Sequence, residues 1–293
     1  MVYTQSIARI NTRHIARHLL LTGTSLLLSI AAANAQTPAT VVGVAALVQG
    51  PVEVTSATGT KHAIASGATL LQGDTIATGS NGEMHAKLED GGYFAVRPNS
   101  ILRIDRFSAK GDELDTSTFA LLRGAFRSVT GWVGKFHPQA YKISTPTATV
   151  GIRGTDHEVV YIAPQDAKPD EIAGTHDSVT HGAAFVENAK GTVEVSEGHA
   201  GFAPNEVDTA PRLHANIPNF ITSRRSSNDG LVDKHYAEID KHIEGKLREH
   251  GVLKDNESYA DYVSQHAVAA KESPKPANDA ERKKKPRHRA EKP

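Results

Sequence analysis

Cysteine is absent from the 293 residues, and its absence excludes several chemistries at once. Neither a disulfide bond nor a lipoprotein anchor on an N-terminal cysteine can form, so stability must come from the burial of an ordinary core. Catalysis by a cysteine nucleophile is excluded for the same reason.

Recognised enzyme patterns are missing too. The sequence contains no Gly-x-Ser-x-Gly elbow and no glycine-rich phosphate loop of the Walker type. The paired carboxylates Glu89-Asp90 and Asp112-Glu113 lie in hydrophilic, turn-like stretches, where burial and a raised pKa are not expected. We therefore predict that the protein is not an enzyme and that it requires no cofactor.

Long apolar runs are absent after the first 35 residues. Those residues include three arginines and no acidic side chain, then an apolar run over 19–30 and the sequence Ala-Asn-Ala at 33–35. This order predicts a signal peptide at 1–35 that is cleaved after Ala35. The apolar run falls short of the roughly 20 residues that a spanning helix needs, which disfavours a membrane anchor. We expect a periplasmic protein without a membrane span, with secretion or display on the cell surface as alternatives.

The formal net charge of zero hides an uneven distribution. Residues 36–280 contain 23 Lys and Arg against 31 Asp and Glu, whereas residues 281–293 contain seven basic and two acidic side chains. From residue 272 onward the composition cannot bury enough apolar surface to fold, which predicts a disordered basic tail at 272–293. The candidate contacts to an anionic cell-surface polymer are Arg282, Lys283, Lys284, Lys285, Arg287 and Arg289. Export disfavours nucleic acid as the partner, and a solvated tail without a partner is the alternative.

Helical periodicity is absent between residues 41 and 218. Short apolar alternations rich in Val, Thr and Ile are broken about every 8 to 12 residues by turn residues, which predicts an all-β domain. Gly43–Val54 and Gly182–Val195 have similar sequences that each indicate a hairpin. We expect two layers, or a solenoid, of short and mainly antiparallel strands, preceded by a linker at 36–40.

The pattern becomes helical after residue 219. Apolar residues recur at helical intervals at Leu231, Tyr236, Ile239, Ile243 and Leu247. Asp229 is the predicted N-cap of this helix and Gly251 its end. A weaker pattern at 258–271 predicts a second helix, so that 219–271 forms a helical appendix.

Three motifs along the β region carry a family resemblance. They comprise Gly73, Asp74, Ile76, Thr78 and Gly79; Asp90, Gly91, Pro98 and Ser100; and Thr145, Pro146, Ala148, Gly151, Arg153, Gly154 and Thr155. In kind and order they resemble the FecR domain of iron-uptake surface-signalling regulators and of stand-alone exported proteins. The resemblance implies a domain that receives a signal from an outer-membrane transporter. Only some 18 residues precede the apolar run, so we expect the sensing half without an anti-sigma region.

Structural roles are expected for the motif residues. Asp74 can accept backbone N–H groups in a turn, and Ile76 can point inward. The five donors of Arg153 can bind carbonyls, or a carboxylate such as that of Asp74, Asp90 or Asp156, across neighbouring strands. Recognition of a ligand carboxylate or phosphate by Arg153 is the alternative.

Acidic and histidine side chains cluster in two places. The clusters are Asp156, His157 and Glu158, and His176, Asp177 and His181. Strand alternation directs His157 away from its two acidic neighbours, so these three cannot bind one ion, and the histidines show no recognised ligand spacing. We expect surface residues and a polar loop at 164–181 rather than a metal site.

Trp132 is the only tryptophan and lies between Gly131 and Gly134. Such a residue either anchors a loop to the core or offers a platform to a sugar or peptide. Trp132 and Arg153 are therefore the candidate interaction residues. The leading hypothesis is a periplasmic module that binds an envelope protein through loops or sheet edges and takes part in signal sensing. The alternative is an envelope or cell-wall glycan-binding protein that uses the Trp132 loop and the basic tail.

Overall fold

The computed structural model of the protein describes residues 39–206 and 208–271. The predicted signal peptide and basic tail lie outside the described residues, as does most of the predicted linker at 36–40. No helix in the described part of the chain is long and apolar enough to cross a membrane.

Alternating segments form strands, as the sequence predicts. Leu102 and Ile104 are buried, whereas Arg103 between them is exposed, because successive side chains of a strand point to opposite faces. The described residues form β1 (Val41–Gln49), β2 (Val52–Thr55), β3 (Lys61–Ala63), β4 (Thr69–Leu71), β5 (Thr75–Thr78), β6 (Glu83–Leu88), β7 (Tyr93–Val96), β8 (Ile101–Ser108), β9 (Thr116–Val129), β10 (Tyr141–Ser144), β11 (Thr149–Ile162), β12 (Gly174–Asn188), β13 (Gly191–Ser196), β14 (Ala200–Pro204) and β15 (Arg212–Leu213). The helices are α1 (Trp132–Phe136), α2 (Asn219–Thr222), α3 (Asp229–Ala237), α4 (Ile239–Glu249) and α5 (Tyr259–Lys271).

All strands hydrogen-bond into one sheet that folds into two layers. The front layer runs β3, β2, β5, β8, β9, β10, β11, β12, β13, and the back layer runs β4, β1, β6, β7, β9, β11, β12, β14, β15. Each of the long strands β9, β11 and β12 contributes one half of its length to the front layer and the other half to the back layer. Among the described strands, only the β9–β10 pairing is parallel. The protein therefore has the predicted all-β fold, in its two-layer form.

Three glycines mark the corner at which the long strands pass between the layers. Gly124, Gly154 and Gly182 have φ values of 83°, 59° and 84°, in the left-handed region that side chains disfavour. A Cβ atom on Gly182 would lie only 1.9 Å from the carbonyl oxygen of Gly154. At Gly124 and Gly182 neighbouring groups approach so closely that a side chain has no room, whereas the space around Gly154 is open.

We expect Gly182→Ala to lower the free energy of unfolding by about 2 kcal/mol, because both the backbone conformation and the clash oppose a methyl group. Gly198→Ala is the matched control, since Gly198 also has a positive φ of 76° but a Cβ atom there would have no neighbouring atom within 4 Å. Chemical denaturation of both variants measures the difference. Equal losses would show that close packing at the corner contributes nothing.

The core lies between the two layers. Phe94 of β7, Phe119 from the front half of β9 and Phe126 from its back half meet with ring centroids 5.7–5.8 Å apart. Ile243 and Leu247 of α4 are fully buried against the same core. The helical region, predicted as an appendix, thus packs on the β domain.

Two local predictions were wrong. Gly43–Val54 is not a hairpin, because β1 pairs with β4 and β6, whereas β2 pairs with β3 and β5. The second predicted hairpin is present as β12 and β13. The helix predicted over 231–251 is two helices that meet at Glu238.

Candidate functional site

The side of the back layer that faces away from the core carries an unusual concentration of charged side chains. Alternation along β6, β7, β9 and β11 and the cross-strand register bring these residues together. We call this side the outer face, defined by Glu83, His85, Tyr93, Ala95, Arg97, Arg127, Val129, Asp156 and Glu158. The charged members are all 5% exposed or less, because helices cover them.

Arg97 joins the sheet to α3. Its Nε donates to Glu158 Oε1 at 3.0 Å, and both terminal nitrogens donate to the carboxylate of Asp229, with Nη2 to Oδ2 at 3.2 Å. Burial opposes ionisation of Asp229, but the hydrogen bonds and charge of Arg97 outweigh it and lower the pKa of this carboxyl. The sheet and the helix therefore share one buried guanidinium.

Arg127 forms the second connection. It binds Asp156 of β11 in a bidentate pair, from Nε to Oδ1 at 2.9 Å and from Nη2 to Oδ2 at 2.6 Å. The same Nη2 donates to Asp233 Oδ1 at 2.6 Å, and Nη1 lies 3.4 Å from Asp229 Oδ2. Asp229 and Asp233 are one helical turn apart, so both point at the arginines.

Glu83 extends the network toward the start of α3. It lies 2.6 Å from His85 Nε2 and accepts hydrogen bonds from Ser226 Oγ at 2.7 Å and Asn228 Nδ2 at 2.9 Å. Burial alone would raise the pKa of Glu83, but these hydrogen bonds lower it to about 2. The carboxylate is therefore ionised across the physiological range.

An apolar strip completes the contact. Val232 of α3 is fully buried against Tyr93, Ala95 and Val129. His235 Nε2 lies 2.9 Å from the carbonyl oxygen of Gly91, and burial lowers the pKa of His235 to about 4. The neutral ring can donate this hydrogen bond without burying a charge.

The far end of the outer face is covered as well. Phe220 and Ile221 of α2 pack on Ala125, Val160 and Ile162. α2 and α3 thus form a third layer over the back layer. The contacts of this layer are paired charges and hydrogen bonds, which suit binding. The described residues contain no group of three or more His, Asp or Glu that could hold a metal ion.

Arg153 does not have the structural role that the sequence predicts. Its side chain is 59% exposed, and Nη2 donates to the exposed Glu194 Oε1 at 3.0 Å rather than to Asp74, Asp90 or Asp156. The guanidinium carbon lies 5.6 Å from the ring centroid of Phe185. Arg153 thus lies on the surface, and the buried arginines among the described residues are Arg97 and Arg127.

Trp132 is an anchor and not a platform. Its side chain is 1% exposed, and its Nε1 donates to Asp115 Oδ2 at 3.0 Å. His250 of the helical region meets its ring edge-on at 5.5 Å. The glycan-binding hypothesis loses its aromatic contact, and its other element, the basic tail, lies outside the described residues.

Asp90 overturns the expectation of an exposed, hydrophilic turn. The side chain is 1% exposed, and Oδ1 accepts a hydrogen bond from Gly92 N at 3.0 Å. Burial, with the negative charge of Asp115 nearby, raises the pKa of Asp90 to about 6. Gly91 beside it has a φ of 77°, and a Cβ there would lie 2.9 Å from the backbone of Ile243.

Other motif residues have backbone roles in turns and strands. Asp74 Oδ2 accepts from Leu71 N at 2.8 Å, and Ile76 is fully buried. Further backbone roles belong to Gly73, whose N–H bonds Ile104 O; Gly79, whose N–H bonds Pro51 O; Pro146, in the turn between β10 and β11; Gly151, paired with Lys142 and Phe185; and Thr155, whose N–H bonds Thr130 Oγ1.

Five of the six residues in the two acidic and histidine clusters are buried, contrary to prediction, whereas His181 is half-exposed. Residues 174–181 belong to β12 rather than to a polar loop. His157 and Asp177 form a fully buried pair, 2.8 Å apart, whereas His176 lies 2.9 Å from His214 and His181 stacks on Tyr236. The histidines therefore point to different neighbours and do not converge.

Comparison with known proteins adds a family match. Residues 74–200 match the family model described as FecR protein. No curated protein matches the chain. Two crystal structures of a proposed anti-sigma factor from Parabacteroides distasonis ATCC 8503, at 1.65 and 2.50 Å resolution, align at 12% identity with a TM-score of 0.38. The alignments cover 51% of this chain and 63% and 62% of those chains, less than two thirds of their length, and a TM-score of this size does not establish a shared fold.

Proposed function

The chain carries a FecR domain over residues 74–200, and from this premise we propose that it is a non-enzymatic module that binds an envelope protein in signal sensing. FecR domains belong to regulatory proteins. The basic, apolar and small-residue order of residues 1–35 supports export to the periplasm. FecR-like regulators interact with other envelope or membrane proteins, which supports a protein as the partner.

The exposure of Arg153 is the observation that carries this proposal. An exposed pair such as Arg153 and Glu194 contributes about 0–1 kcal/mol, so the fold does not depend on this motif arginine. Gly151 and Gly154 on either side have open space around them, which leaves the guanidinium accessible. A planar fork of donors above the Phe185 ring is suited to carboxylates and main-chain carbonyls of a partner.

We expect Arg153→Ala to abolish capture of the envelope partner while the melting temperature stays within about 2 °C of the wild type, because the lost ion pair is exposed. Crosslinking in cells followed by mass spectrometry measures capture by the full chain. Arg123→Ala is the matched control, since Arg123 Nη2 donates to Asp166 Oδ1 at 3.1 Å and its side chain is 51% exposed.

One envelope protein should be recovered with the wild type and Arg123→Ala and lost with Arg153→Ala. Equal recovery with all three chains would contradict recognition by Arg153. Loss with both variants would indicate a nonspecific dependence on surface charge.

A further inference from the structure

α3 is held on the outer face by a small set of directed contacts. Asp229 and Asp233, at positions i and i+4, meet Arg97 and Arg127, and Val232 fills the apolar strip between them. Leu231 on the same helix remains 46% exposed. The outer face therefore recognises two carboxylates one turn apart, with an aliphatic side chain beside them.

The energetics of docking allow α3 to leave the outer face and another helix to take its place. A helix of nine residues is too short to be stable alone, so its order depends on the face that it covers. Release of the whole helix returns both members of each buried ion pair to water, so it costs less free energy than deletion of one partner while the other stays buried. Only one aliphatic side chain, Val232, is buried by α3.

The outer face keeps its own partners when α3 is absent. Arg97 retains Glu158, and Arg127 retains its bidentate pair with Asp156, both within the sheet. Because these carboxylates already neutralise the arginines, binding of a helix is directed by the remaining N–H donors and not by net charge. The face can therefore exist with and without an occupant.

Receptor and occupant lie in different parts of the chain. Every residue of the outer face falls within the FecR domain at 74–200, whereas α3 follows it at 229–237. We propose that the outer face binds a partner's helix bearing two carboxylates at i and i+4, and that α3 is the intramolecular competitor of that helix. This surface is separate from the Arg153 patch, and the proposal does not rest on it.

The probe that tests this proposal is a fluorescently labelled peptide of residues 226–238 from this chain. We expect it to bind the full-length Asp229→Ala/Asp233→Ala chain at least tenfold more tightly than the wild-type chain, whose own α3 occupies the face. A peptide with the same two alanines should bind neither chain. Arg153→Ala, added to the variant chain, should leave peptide binding unchanged, which separates this result from the proposed function.

Fluorescence anisotropy measures binding, and circular dichroism establishes that each chain is folded. Equal binding to wild-type and variant chains, or equal binding of the alanine peptide, would overturn the proposal. If the double variant does not fold, Ser226→Ala/Asn228→Ala loosens the start of α3 through half-buried contacts to Glu83. That folded chain should bind the peptide at least threefold more tightly than the wild type, and no gain would overturn the proposal equally.

Discussion

Replacing Asp229 by alanine should lower the free energy of unfolding by about 3–5 kcal/mol, the range for removing one partner of a buried charge network. The substitution leaves the terminal nitrogens of Arg97, which is 1% exposed, without their acceptors, and it takes one carboxylate from Arg127. α3 should detach and unfold before the rest of the chain, because this helix carries the deleted carboxylate. Chemical denaturation followed by circular dichroism measures the change.

Asp240→Ala is the matched control for this substitution. Asp240 also lies on a helix and also pairs with a cation, Lys135, but its side chain is 63% exposed. Solvent screens such a pair, so the expected loss is at most about 1 kcal/mol. If both variants lose the same stability, the buried network does not hold the helical region in place.

Asp90→Asn should stabilise the protein at neutral pH and have little effect near pH 4. The folded-state pKa of Asp90 is about 6, above its usual 3.8, because burial disfavours the charge. A group with a raised pKa contributes stability below its unfolded pKa and loses it as the pH rises through the folded value. Two pKa units correspond to about 3 kcal/mol of destabilisation by the buried charge at neutral pH. Asparagine avoids this cost because it carries no charge, and its Oδ1 still accepts from Gly92 N.

The measurement is the difference in unfolding free energy between Asp90→Asn and the wild type from pH 4 to pH 8. The difference should grow from near zero to about 3 kcal/mol in favour of the variant. Asp112→Asn is the control, because Asp112 Oδ1 accepts from Leu114 N in the same kind of turn but is exposed. A difference that is constant with pH would mean that Asp90 is not buried as a charge.

Local patterns were sufficient to predict the strands and several turns. Alternation over a few residues determines which side chains are buried, and this relation holds for β8 regardless of what lies elsewhere in the chain. The turn role of Asp74 also follows from adjacent residues, since its acceptor position serves Leu71, three residues away. The two-layer form depends on where long strands bend, and the sequence alone left it open beside a solenoid.

The outer face could not be predicted because its contacts are distant in sequence. Arg97 and Asp229 are 132 residues apart, and no local pattern records their pairing. Asp229 has the sequence features of an N-cap, but the N-cap in the structure is Asn228. Asp229 is the first residue of the helix, and its side chain binds the arginines. A useful signal was the charge of Arg97 at the end of the apolar segment Tyr93–Val96, where an isolated arginine requires a partner.

Hydrogen exchange of the full-length chain, measured by mass spectrometry on the wild type and Asp229→Ala, tests most directly whether α3 is docked through the buried network. We predict that α3 amides in the wild type exchange at least about 100-fold more slowly than in an unstructured peptide. In the variant they should exchange much faster, while β8 amides keep their protection. Rapid exchange of α3 in the wild type, or identical exchange in the two chains, would contradict the account.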